Sequence, residues 1–122
     1  ERLTRTVRCH RIQDILAGVD LWHVDLWVLD VEGAELTVLQ GMDFGQVTVS
    51  LIVMECRGGI NAGSNKLKVR YLAKQGFSCP FSALNSCWCV GPSFSPEAAP
   101  GWQPSRLVYA PGWDAGWREQ LV

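Results

Sequence analysis

The apolar positions of this chain come in blocks whose period changes along the sequence. Residues 24–31, Val-Asp-Leu-Trp-Val-Leu-Asp-Val, are mostly apolar without strict alternation. Such a run predicts a strand covered on both faces, as in a parallel sheet. Asp30 closes the run and Glu32-Gly33-Ala34-Glu35 follows. Leu36, Leu39 and Met42 then recur at helical spacing until Gly41 and Asp43-Phe44-Gly45 stop the pattern. Residues 47–55, Val-Thr-Val-Ser-Leu-Ile-Val-Met-Glu, are again apolar and β-branched, and again end on an acid. They predict a second buried strand. Arg57-Gly58-Gly59 breaks it. Ser64 or Asn65 can cap a helix over 66–75, with Leu67, Tyr71 and Leu72 as its apolar members and Gly76 at its end. Upstream, residues 7–16 predict a short extended start and then a helical turn at Ile12, Ile15 and Leu16, ended near Gly18.

Two further strand candidates, 77–81 and 87–90, are joined by 82–86 and predict an antiparallel pair, with Pro80 pushing the first toward a sheet edge. From Gly91 onward the composition shifts to Pro, Gly, Ser, Ala and Trp. The chain therefore divides into residues 1–90 and a tail, 91–122. The tail repeats Pro-Gly-Trp at 100–102 and 111–113, and Gly116-Trp117 follows. Two copies are too few for a repeat architecture. Either these tryptophans form a surface that stacks on a sugar or a partner, or the segment folds back over the sheet or is disordered.

Composition narrows the classes. A chain of 122 residues fits one domain. Eleven Lys and Arg against 12 Asp and Glu leave no basic excess for phosphate-backbone binding, so nucleic acid is not expected as a partner. No apolar run approaches the roughly 20 residues that span a bilayer, and no membrane partner is expected. The N-terminal segment lacks the apolar stretch of a signal peptide, and a start at Glu1 is consistent with a fragment. Cys9, Cys56, Cys79, Cys87 and Cys89 are odd in number, which rules out a complete disulfide framework. They read as buried thiols in a reducing, cytoplasmic setting. Cys87-Trp88-Cys89 puts two thiols on one side of a strand without a second close pair, so no metal site is expected.

The candidate chemistry lies in acids at strand ends. Alternating strands and helices predict a doubly wound α/β sheet, whose ligands sit beyond the carboxyl ends of its strands. Asp30, Glu32, Glu35 and Glu55 fall there. Asp30 and Glu55 would end neighbouring strands and could serve one cleft as general base, hydroxyl acceptor or metal ligand, or simply be solvated. Glu32 stands near a helix start, where a carboxylate can cap free amides instead.

The segment Asp25-Leu26-Trp27-Val28-Leu29-Asp30-Val31-Glu32-Gly33-Ala34-Glu35 resembles the signature of FkbM-type methyltransferases. Val38-Leu39-Gln40-Gly41-Met42, Ile52-Val53-Met54-Glu55 and Arg11-Ile12-Gln13-Asp14-Ile15-Leu16 resemble that family's flanking elements, in the family's order. The resemblance implies the C-terminal half of a Rossmann-like class I methyltransferase sheet, roughly its fourth to seventh strands, with the last pair antiparallel. It further implies methyl transfer from S-adenosylmethionine to an oxygen of a small-molecule or sugar acceptor. Asp30, Glu32 and Glu55 are then the catalytic candidates, with Asp30 nearest the cofactor and substrate, Glu32 and Glu35 shaping the turn and Glu55 bordering the acceptor pocket. Two departures stand out. Val28 occupies a position that is Lys in many relatives. No Gly-x-Gly turn of the kind that holds the cofactor precedes Asp25, so the rest of that site is expected upstream, and this chain alone is expected to be inactive. The missing N-terminal half would be a partner. The rival reading is a non-catalytic remnant or interaction module. A metal-dependent hydrolase using Asp30, Glu32 and Glu55 is weakened by the lack of a histidine beside the acids. His10 and His23 precede the strand and read as ordinary surface or partly packed residues.

Overall fold

A computed structural model describes residues 3–95. Among the described residues three helices and four strands follow in chain order: α1 (Ile12–Gly18), β1 (His23–Leu29), α2 (Glu35–Gln40), β2 (Thr48–Glu55), α3 (Asn65–Lys74), β3 (Ser78–Ala83) and β4 (Ser86–Val90). The strands form one mixed sheet in the order β1-β2-β4-β3. β1 and β2 are parallel, from His23 opposite Thr48 to Leu29 opposite Met54, while β4 runs antiparallel to both β2 and β3. This small α/β sheet is compatible with the methyltransferase-like fold that the signature implies, and the last strand pair is antiparallel as expected. The tail beyond residue 95, with its tryptophans, lies outside the described residues.

Period-two alternation in the strands decides where the core sits. Ile52 and Met54 of β2 and Cys56 just beyond it, together with Leu29, Cys87 and Cys89, turn one way and are buried with Leu39 and Leu72 of the helices. Trp27 packs against the same cluster, and Ile12 and Leu16 bring α1 onto it. The expectation that 24–31 is covered on both faces is corrected. Leu26 and Val28, whose partners in the ladder are Leu51 and Val53, are 53% and 65% exposed. β1 is moreover an edge strand among the described residues.

The helix stripe also differs from expectation. The spacing of Leu67, Tyr71 and Leu72 suggests the apolar face of α3, yet its buried residues are Asn65, Lys68 and Leu72, and Leu67 is exposed. Their i, i+3, i+7 spacing is itself helical, but the face is polar at its N-terminal end because it lies beneath acidic strand ends. Ser64 is the N-cap residue but makes no side-chain capping bond.

Pro80 sits in β3, the other edge strand, where the pairing with β4 shifts between Ser78 and Phe81. An edge tolerates a residue that cannot donate to the ladder. The connection from β3 to β4 is tighter than expected, turning through Leu84 and Asn85, both with positive φ. After β4 the chain continues beside β2, with the Gly91 amide donating to the Ser50 carbonyl. A Cβ at Gly91 would overlap the Val49 carbonyl oxygen, and Phe77 blocks retreat on the other side. Gly91→Ala is therefore expected to cost about 1–3 kcal/mol, as overpacking does in a filled interior. Urea unfolding of the two proteins checks this.

The reading of the cysteines as thiols is overturned. Cys56 is bonded to Cys87 and Cys79 to Cys89, leaving Cys9 free and exposed. An odd count forbids a complete framework but not a partial one, and the expectation of a reducing setting loses its basis.

Candidate functional site

The parallel pairing of β1 with β2 brings the acids together. Both strands end at the same level, and Asp30 follows β1 directly while Glu55 is the last residue of β2. A cleft of about 380 Å³ opens there, lined by Val28, Asp30, Val53, Glu55, Arg57 and, from the β3–β4 turn, Asn85 and Ser86, among others. A smaller hollow of about 210 Å³ lies alongside, bounded by Gly33, Glu35, Lys68 and the loop before α3, and it shares Glu55 and Arg57 with the first. This is the crevice beyond the carboxyl ends of strands where open α/β sheets bind ligands.

The turn between β1 and α2 is built by Glu35, not by Glu32. Glu32 adopts φ 51°, an unfavourable left-handed conformation for a residue with a side chain, and Gly33 follows at φ 101°. The buried Glu35 carboxylate closes this turn by accepting the Val31 amide at 3.2 Å and the Gly33 amide at 3.1 Å. Burial alone would raise the Glu35 pKa. Hydrogen bonds from the amides of Gly33, Glu35 itself and Val31, helped by the Lys68 ammonium, outweigh burial and hold it below the usual carboxylate value. Lys68 reaches up from α3, with Nζ 3.5 Å from Glu35 Oε2, and donates to the Glu55 carbonyl. One buried ammonium thus ties the turn after β1 to the end of β2.

Glu32 does not cap α2. The N-cap position is Ala34, with no side-chain capping bond, and the Glu32 carboxylate is 80% exposed, 3.7 Å from an Arg57 nitrogen. Arg57 also donates to Glu55, and its guanidinium is held above its ordinary pKa, first by that hydrogen bond and by the Glu55 charge, then by Glu32. Asn65 donates to the carbonyls of Arg57 at 2.9 Å and Gly59 at 2.8 Å, which fixes the loop that carries Arg57.

Of the sequence-derived candidates, Asp30 and Glu55 are brought together, while Glu32 lies at the rim. Glu35 takes Glu32's place in the cluster, with ligand oxygens of Asp30, Glu35 and Glu55 all within 4.8 Å of one another. The negative charge there is offset by Arg57 and Lys68. Among the described residues no helix is long and apolar enough to cross a membrane. His23 lies at the opposite end of β1, hydrogen-bonded to Thr48 and Asp25, away from the acids. Residues 1–79 match the family model described as the methyltransferase FkbM domain. No curated protein and no solved structure matches the chain.

Proposed function

The chain belongs to the FkbM methyltransferase family, and on that premise we propose that it contributes the acceptor-side half of an S-adenosylmethionine-dependent methyltransferase domain. The observation that carries this reading is the meeting of Asp30 and Glu55 over one cleft at the carboxyl ends of adjacent parallel strands. The strand order β1-β2-β4-β3, with β4 reversed, supports assigning these strands to the fourth to seventh of a class I methyltransferase sheet. S-adenosylmethionine, when bound, supplies an electrophilic methyl group. Its cationic centres fit a cleft with exposed carboxylate, and Asp30 is the residue here that would face it.

In this reading Asp30 accepts the proton of the acceptor hydroxyl at a carboxylate oxygen, so that the oxygen gains nucleophilicity as the methyl group is transferred. Glu55, oriented by Arg57, borders the acceptor and takes a hydrogen bond from a neighbouring hydroxyl. Glu32 at the rim shares the Arg57 guanidinium with Glu55. Val28 and Val53 give the cleft an apolar wall. The acceptor that suits such walls is a small molecule or sugar with adjacent hydroxyl and aliphatic faces.

A second reading has one observation in its favour. Glu55 and Glu35 are each engaged by a cation, as in a purely structural ion network, which is what a non-catalytic interaction module would keep. Asp30 separates the two. In the complete methyltransferase domain, Asp30→Asn is expected to lower turnover by about 10² to 10⁴ with little change in thermal stability. Near wild-type turnover in that variant would assign the acids to structure. For the chain by itself, calorimetric titration with S-adenosylmethionine is expected to show no saturable heat at millimolar ligand. Binding in the low micromolar range would overturn the half-domain reading.

A further inference from the structure

Four of the five cysteines meet in pairs, one of them, Cys56–Cys87, at the cleft end of the sheet, and strand order explains the pairing. β4 lies between β2 and β3, and Cys87 and Cys89, two residues apart, turn to the same buried face. Cys87 reaches Cys56, just past the end of β2, and Cys89 reaches Cys79 on β3. Cys56 stands between Glu55 and Arg57, while Cys87 follows Ser86. The first bridge therefore joins the two walls of the cleft, with Glu55 and Arg57 on one side and Asn85 and Ser86 on the other. Beyond Cys56 the ladder of β2 is over, and the chain turns away through Gly58 and Gly59, both at positive φ. There the Cys56 amide bond to the Asn85 carbonyl, the Gly59 amide bond to the Cys56 carbonyl, the Lys68 bond to the Glu55 carbonyl and the Asn65 clamp add to the bridge.

We propose that oxidation locks the cleft: closure of the Cys56–Cys87 disulfide fixes the Glu55–Arg57 wall against the β3–β4 turn, and the domain matures in an oxidising compartment. The lock is a property of the cleft whatever reaction is carried out there. In forming the bond, two thiols give up two protons and two electrons to a disulfide oxidant such as glutathione disulfide or a thiol-disulfide oxidoreductase. One thiolate attacks the oxidant to form a mixed disulfide, the second displaces its thiol, and the oxidant leaves fully reduced. A dithiol reverses both steps. Cys56 and Cys87 are fully buried, so reduction of the folded chain requires local opening of this end of the sheet.

The test uses the full chain, folded in a glutathione redox buffer and purified without reductant. Thiols titrated in denaturant are expected to number one per chain, from Cys9, rising to five after dithiothreitol. Peptide mapping is expected to find Cys56 linked to Cys87 and Cys79 to Cys89. Amide exchange over residues 55–60 and 84–87 should accelerate by about tenfold or more on reduction, because the local opening free energy falls. In the Cys79→Ser/Cys89→Ser chain, which keeps the first bridge, those segments should stay within about threefold of wild type. Five free thiols before reduction, a different pairing, or unchanged exchange on reduction would each overturn the lock. If the double variant does not fold, the thiol count, the mapping and the reduction of the wild-type chain decide alone.

Discussion

Glu35→Gln is expected to lower the unfolding free energy by about 3–5 kcal/mol, the usual result of breaking one side of a buried ion pair. The neutral amide keeps an oxygen for the Val31 and Gly33 amides but leaves the Lys68 ammonium, 5% exposed, without its ion-pair partner. Against a domain stability of roughly 5–15 kcal/mol, that loss brings the variant close to unfolding. Glu35→Gln combined with Lys68→Met is expected to recover most of the loss, since no unpaired charge is then buried. Urea unfolding of the two single variants and the double variant measures the coupling. Additive losses would show that Lys68 and Glu35 do not depend on each other. The pair also predicts an acid limb. The folded-state pKa of Glu35 lies below its unfolded value, so the unfolded chain binds more protons between the two. The stabilisation is complete above about pH 4.3, the ordinary glutamate value, and is lost as pH falls through the folded pKa. This limb is expected to be missing in Glu35→Gln.

The acids show what local pattern can and cannot reveal. Asp30 and Glu55 are legible as a pair because each ends an apolar run, and parallel neighbours connected by a helix end at one side of a sheet. Every strand and helix is found within a few residues of its expected place for the same reason. Which glutamate turns inward is not legible. Glu32 and Glu35 are both compatible with the turn, and the choice is made by Lys68, which is 33 residues from Glu35 in sequence. Lys68 itself is hidden in a run of Asn-Lys-Leu-Lys-Val-Arg-Tyr that suggests a solvated face. The signal was the spacing of Asn65, Lys68 and Leu72 on one side of a helix that follows two acid-terminated strands. The disulfides fail for a related reason. Cys56 and Cys79 flank Cys87 and Cys89 only once β4 is inserted between β2 and β3, and that insertion is a property of topology, not of any one segment.

The exposed side of β1 leads to the second large expected effect, self-association of the chain. β1 is an edge among the described residues, so one row of its backbone N–H and C=O groups faces away from the sheet. Leu26 and Val28 stand exposed on it, with Leu21 and Trp22, both over 40% exposed, just before the strand. Such an edge templates pairing with another chain unless charge or a bulge blunts it, and only Asp25 and His23 interrupt the apolar side chains of the strand. Sedimentation of the chain is therefore expected to show concentration-dependent oligomers. Leu26→Lys with Val28→Lys is expected to weaken the association at least about tenfold, because a lysine on an edge must be desolvated to be paired against another strand. Both residues lie outside the core cluster, so the unfolding midpoint should shift little in the same variant. Removing residues 96–122 distinguishes the two ways this face can be occupied. Stronger association after removal would mean that the tail shields the face, and unchanged association would assign it to contacts between chains. A monodisperse wild-type chain whose behaviour neither change affects would contradict the half-domain reading, because its sheet would then need no further partner.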